Sequence, residues 1–268
     1  MPMHKPTMPL AVFACALVAC AALPLRTGPQ SAPATDAAGA ITVAGAADLQ
    51  FAFTEIAELF EAQTGHRVTL VFGSTGQLAQ QIENGAPYDL FVAANIEFVD
   101  DLAQKGLIVP ESVALYARGR IALVVNKQSG IRAATLQDLT AAQVRRIAIA
   151  NPDHAPYGLA ARQALESAGL WEALRPRLVL GENVRQALQF VQAGDVPAGI
   201  VALSVANVPE VTYAPIDDAL HQPLDQALGL VSTSKNPAIA MDFARFINGE
   251  HGRPIMRKYG FLLPDETR

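Results

Sequence analysis

Four short stretches of the chain gather small, hydroxylated or turn-forming residues directly ahead of a helical pattern: Ala47-Asp48, Ser74-Thr75-Gly76, Pro156-Tyr157-Gly158 and Asn183-Val184. A helix N-terminus leaves backbone N–H groups without intrahelical partners and carries about half a positive charge, so it accepts an oxyanion. Ser74 and Thr75 can add hydroxyl donors to such a site. The same residue types also serve as ordinary N-caps in any α/β protein, and the pattern by itself leaves both readings open.

Catalytic chemistry finds less support. The chain has no G-x-S-x-G elbow, Walker A loop, H-E-x-x-H or G-x-G-x-x-G, and its histidines at 4, 66, 154, 221 and 251 are never paired at i, i+4. His154 reads as a polar loop residue, Asp89 as a turn or packing residue and Trp171 as core. No catalytic residue, cofactor or direct protein–metal ligand is expected, and the chain is not read as an enzyme. The contrasting reading is a secreted hydrolase or transferase using Ser74 or Tyr157 near His154, which requires a nucleophile and base within hydrogen-bond reach and a third group to orient the base. A tethered sensor or adhesin is a third.

The elements that position these loops alternate. Ile41–Ala44 is a short apolar strand, and Leu49, Ala52, Phe53, Ile56, Leu59 and Phe60 then follow helical spacing up to Thr64-Gly65. Val68, Leu70 and Phe72 alternate, Leu78 and Ile82 mark a short helix, and Asp89–Ala93 is a further strand, completing a βαβαβ unit. Downstream the pattern predicts a helix near 97–104, strands at 121–125, 146–150 and 199–203, helical propensity over 134–144, and helices over 158–168, 184–191 and 237–248. The fold class is α/β, doubly wound, in two lobes. In open sheets of this kind ligands sit beyond the carboxyl ends of the strands, where all four junctions lie.

The 268 residues are 51% hydrophobic and 17% charged, which fits a globular chain and excludes a disordered one. A net charge of −5 without clustered Lys or Arg argues against a nucleic-acid partner. Both cysteines, Cys15 and Cys20, fall in the first 20 residues, so the body has no disulfide, thiol nucleophile or zinc cluster. Leu10–Leu23 is wholly apolar between Pro9 and Pro24, too short to span a membrane and suited to the core of a secretory signal. Within it Leu17-Val18-Ala19-Cys20 resembles a bacterial lipobox, in which the cysteine is acylated; cleavage further on, after Ala38-Gly39-Ala40, is the other reading. Residues 1–20 are therefore read as a signal peptide with a lipobox-like end and 21–40, rich in Ala, Pro, Thr and Gly, as a flexible linker. Loss of residues 1–19, with Lys5 and no acid, leaves a net charge of −6, so a bound anion must be held by local donors.

Several segments together resemble the molybdate-binding (oxyanion-binding) proteins of ABC importers, of the type II periplasmic binding protein kind. They are GSTGQLAQQIENGAPYDLFVAAN at 73–95, ANPDHAPYGLAARQAL at 150–165, GENVRQALQFVQAG at 181–194, GIVALS at 199–204 and MRKYGF at 256–261. The resemblance runs from about Ile41 to Pro264. It implies two lobes, each a mostly parallel sheet flanked by helices, with a hinge between them; residues 41–120 and 208–268 would form the first lobe and 121–207 the second. It also implies a tetrahedral dianion, molybdate or tungstate, held by neutral donors at Ala47, Asp48, Ser74, Thr75 and the backbone of Tyr157 and Val184. A tyrosine that donates in some members is Ala202 here, a role that could pass to the Tyr157 hydroxyl. The implied protein is a monomer outside the cytoplasm, anchored to a membrane only if Cys20 is acylated. It would deliver its anion to a permease with its ATPase.

Asp48 departs from that family, which has a small hydroxyl residue or Asn at this loop. Molybdate and tungstate are fully deprotonated near neutral pH, and two unit charges about 4 Å apart repel by about 1 to 4 kcal/mol for dielectrics of about 80 to 20, doubled for a dianion. Two readings follow. Asp48 turns back as N-cap of the helix beginning at Leu49, or the anion carries a proton, as hydrogen phosphate does, that Asp48 accepts.

Overall fold

Ala40–Ala46 (β1) and Arg67–Gly73 (β2) pair in parallel, with Ile41 opposite Val68 and Gly45 opposite Phe72, and Leu90–Ala93 (β3) lies along the other side of β1. In the computed structural model, which describes residues 38–266, the first sheet is completed by Ala114–Gly119 (β4) and Leu224–Leu230, giving the order β2-β1-β3-β10-β4 when that last strand is β10. The second sheet takes Ile121–Asn126 (β5), Ile147–Ala150 (β6), Leu178–Gly181 (β7), Ala198–Ala202 (β8) and Val211–Pro215 (β9) in the order β7-β6-β8-β5-β9. Both sheets follow one scheme: three adjacent parallel strands, then two joined antiparallel.

Helices cover the sheets: Gln50–Thr64 (α1), Thr75–Glu83 (α2), Ile96–Gln104 (α3), Pro156–Ser167 (α4), Trp171–Leu174 (α5), Val184–Gln192 (α6), Leu203–Ala206 (α7), Pro237–Asn248 (α8) and Gly252–Lys258 (α9). Their apolar faces set the packing. Phe53, Ile56 and Phe60 of α1 are buried, and Phe60 meets Phe243 and Phe246 of α8 edge to face, with centroids 5.1 and 5.3 Å apart. α1 ends at Gly65, whose φ of 75° gives the left-handed turn that closes a helix at a glycine.

The chain passes from the first sheet to the second at Arg120, between β4 and β5, and returns between Pro215 and Leu224. The division at 207 drawn from the sequence leaves β9 with the wrong sheet: Val211–Pro215 pairs with β5, Val124 lying opposite Tyr213. Two of the four pairings in each sheet are parallel and two antiparallel, so each sheet is mixed. In each sheet a single strand, β10 in the first and β5 in the second, runs against the other four, so most strands share one direction as expected. The expected helix over 134–144 is only a 3-10 turn, Leu136–Thr140, held by a capping box between Thr135 and Asp138. Ala40, assigned to the linker, already pairs with Arg67. Residues 1–20, read as a signal peptide, with Cys20, and most of 21–40, read as a linker, lie outside the described residues.

Candidate functional site

The carboxyl end of β1 runs into a 3-10 turn, Ala47–Leu49, that leads directly into α1. The turn packs against α1, α6 and α7, and Asp48 is buried within it. Asp48 caps nothing: neither the turn nor α1 has a side-chain cap, contrary to the first sequence reading. Instead its Oδ2 accepts from Tyr157 Oη (3.0 Å) and from Gln226 Nε2 (2.9 Å). Gln226 is wholly buried on β10; its other amide hydrogen goes to Tyr157 Oη (2.9 Å), and its Oε1 accepts from Tyr116 Oη (2.7 Å). Tyr116 reaches that position because the β4–β10 register shifts beside it, a bulge that re-aims the strand. Ser204 of α7 donates to the Asp48 carbonyl (2.8 Å), which ties this loop to the second lobe.

Three further helices begin around the same point, and in each the capping group takes some of the free N–H groups and leaves one. On α2, Ser74 Oγ accepts from Gln77 N, and Gly76 N donates to the His154 carbonyl (2.9 Å), which leaves the N–H of Thr75 at the first helical position. On α6, Asn183 Oδ1 accepts from both Arg185 and Gln186 N–H (3.0 Å each), leaving that of Val184. On α4, Pro156 has no N–H and fits the first position, the Gly158 and Leu159 N–H groups turn back to the Ala155 carbonyl, and that of Tyr157 is left. Such end groups have no partner within the helix. Thr75 adds a hydroxyl: its Oγ1 accepts the Ala94 N–H (3.1 Å), so its hydrogen is free to point elsewhere.

Ala47, Asp48, Ser74, Thr75, Tyr157 and Val184 all line one cavity of about 10 Å³, together with Ala94, Ala155 and Asn183. Enlarged by the radius of water, that space takes a compact body of roughly 2.7 Å radius, so it suits a single small ion and has no room for a sugar or peptide. No lysine or arginine is among its lining residues. Its one acid, Asp48, has its carboxyl pushed up to about 6, first by burial, against which the bonds from Gln226, Tyr157 and its own backbone N–H act in the other direction. Asp48 Oδ1 is fully buried and has no hydrogen-bond partner. Burial, followed by the neighbouring Asp48 charge, holds the Tyr157 and Tyr116 hydroxyls well above the usual tyrosine range.

The structure thus brings together every residue of the expected anion site, and adds Gln226 and Tyr116, which the sequence reading missed. Nothing local marks them: Gln226 lies 178 residues from Asp48 and Tyr116 lies 110 from Gln226. The Tyr157 hydroxyl, expected to face an anion in place of Ala202, is committed to Asp48. His154 is more than a loop residue, since its Nδ1 lies 2.8 Å from Ser74 Oγ. Its Nε2 lies 4.0 Å from Glu182 Oε2, an oxygen that accepts from Gln77 Nε2 at 2.6 Å. A serine, histidine and glutamate in a row outline a hydrolytic triad, but the serine here caps α2 and the space beside it is too small for an acyl substrate. Asp89 is a packing residue: it accepts from Thr42 N and from Ser234 Oγ.

Residues 41–262 match the family model of the bacterial extracellular solute-binding proteins. The chain belongs to this family. Among individual family members, the molybdate-binding protein ModA of Rhodobacter capsulatus is 34% identical over 227 residues, covering 84% of this chain and 89% of its own. A putative ABC transporter substrate-binding lipoprotein, YvgL of Bacillus subtilis, is 30% identical over 93% of this chain and 96% of its own. The solved structure of the Azotobacter vinelandii periplasmic molybdate-binding protein superposes with a TM-score of 0.79 at 30% identity, covering 84% of this chain and 99% of that one. This solute-binding protein therefore shares a two-lobed α/β fold of mixed sheets with relatives that are binding proteins.

Proposed function

We propose that the protein captures a tetrahedral oxyanion, molybdate or tungstate, and delivers it to the membrane permease of an ABC importer. The observation that carries this reading is the ring of uncommitted N–H groups of Thr75, Tyr157 and Val184, from both lobes, around a cavity the size of one small ion. Donors of this kind hold a dianion without a counter-charge because the helix ends carry the positive potential. In this reading Ala47 offers its backbone N–H, Asp48 forms the wall beside it, and Ser74 and Thr75 offer hydroxyls. The likeness to molybdate-binding relatives supports the choice of ion.

Capture proceeds by closure. The first lobe brings Ser74, Thr75 and the Asp48 turn; the second brings Tyr157 and Val184, and contacts across the cleft hold the closed form. These include Arg185 Nε to Gln50 Oε1 (3.0 Å), Gln77 to Glu182, Gly76 N to the His154 carbonyl and Ser204 to the Asp48 carbonyl. A ligand drives closure only through contacts the open form lacks, which is the role of the second set of N–H donors. The protein works outside the cytoplasm, and acylation of Cys20 anchors it to the membrane. The lipoprotein among its relatives supports that anchoring.

Isothermal titration of the protein with molybdate, tungstate, sulfate and phosphate tests the assignment. Saturable binding of molybdate and tungstate with one site per chain is expected, and failure of all four anions to bind overturns it.

A further inference from the structure

Asp48 lines the proposed anion cavity, and its two carboxyl oxygens are treated differently. Oδ2 is saturated by donors from two other elements, Tyr157 on α4 and Gln226 on β10. Oδ1 belongs to a residue only 1% exposed that lines the cavity, and it has no partner. An ionised carboxylate there would turn a bare acceptor toward a ligand that offers only acceptors. A protonated one would turn a donor toward it, of the same reach as an asparagine amide.

We propose that Asp48 Oδ1 holds a proton when the site is filled and donates it as a hydrogen bond to the oxyanion, so that each dianion binds together with one proton taken from solvent. The proposal rests on the oxyanion reading above. The balance is simple: the carboxylate gains an O–H bond, the dianion keeps its charge, and no other bond forms or breaks. The surroundings favour the neutral acid. Among the described residues no cationic side chain pairs with Asp48; the groups packed on it are Tyr157 from α4, Tyr116 through Gln226 from the first sheet, and Ser204 from α7. His154, at the cavity edge, faces Ser74. Burial already pushes the Asp48 carboxyl up to about 6, and a bound dianion raises it further.

Such coupling selects among anions by their protons. A fully deprotonated dianion complements a neutral Asp48, whereas hydrogen phosphate, which brings its own proton, complements an ionised one. It also makes capture depend on pH: above about 6 the empty site must first be protonated, and affinity falls about tenfold per pH unit.

The test is titration calorimetry with molybdate at pH 6, 7 and 8, in pairs of buffers of different ionisation enthalpy, on the wild type and on Asp48→Asn. The wild type is expected to take up close to one proton per anion at pH 8 and about half a proton at pH 6, with Kd rising roughly 50-fold between them. Asp48→Asn, a fixed neutral donor, is expected to bind with no proton uptake and no such slope. Binding to the wild type without proton uptake overturns the proposal and leaves the oxyanion reading standing, as does a slope that persists in Asp48→Asn, which would assign it to another group. Binding of phosphate alone, abolished in Asp48→Asn, overturns it as well, because the proton would then travel on the ligand. No binding of any oxyanion by the wild type overturns both.

Discussion

Replacing Asp48 by asparagine should stabilise the empty protein, and more so as the pH rises. The carboxyl titrates near 3.8 when exposed and near 6 in the folded chain, a difference worth about 3 kcal/mol at about 1.36 kcal/mol per unit. Because the folded value is the higher one, the native state binds the proton more tightly than the unfolded state does. Its benefit is complete below about 3.8, declines as pH rises, and is lost above about 6. At pH 8 the wild type therefore carries the whole cost of an ionised, unpaired buried carboxylate, which Asn removes while its carbonyl still accepts from Tyr157 and Gln226. For a chain of this size 1 kcal/mol moves Tm by about 2 to 4 °C, so Asp48→Asn should melt roughly 6 to 12 °C higher at pH 8. About two-thirds of that advantage should be gone by pH 4.5. Circular-dichroism melts of both proteins without anion, at the two pH values, make the comparison. A variant that melts below the wild type at pH 8, or an offset that is the same at both values, would refute the reasoning.

Three other substitutions probe neighbouring parts of the site. Tyr157→Phe removes a hydrogen bond that lowers the Asp48 carboxyl, so the fall of molybdate affinity with pH, followed by titration, should begin at higher pH, at a stability cost of about 1 kcal/mol. Gly119→Ala would place a methyl group on Tyr157 Oη and 2.7 Å from Gln226 Nε2; chemical denaturation should register a loss of about 2 kcal/mol or more, and anion titration a weaker site. Asn183→Ala strips the cap from two N–H groups of α6, and should lower stability by about 1 kcal/mol and weaken anion binding in the same calorimetric assay.

What could be read from the sequence was what is encoded locally. The N-termini of α2, α4 and α6 announce themselves through Ser74, Pro156 and Asn183, each next to the residue it positions. The βαβ halves were readable for the same reason, since β1, β2 and β3 follow one another with short connections. The strands β4, β9 and β10 were not: β10 reads Leu-Asp-Gln-Ala-Leu-Gly-Leu, nearly all of it buried, so no alternation of apolar and polar residues marks it. With β10 went Gln226, and with the bulge in β4 went Tyr116, so the partners that decide the state of Asp48 were out of view. Asp48 itself looked like a cap because Asp ahead of a helix usually is one; here the 3-10 turn rotates its side chain inward, where Tyr157 and Gln226 compete for it.

The central claim is that one oxyanion sits among the N–H groups of Thr75, Tyr157 and Val184. Crystals grown with tungstate, measured on either side of a tungsten absorption edge, locate the heavy atom directly. A single anomalous peak inside this cavity, ringed by those three residues, is the predicted result; a peak elsewhere on the molecule with the cavity empty would contradict it.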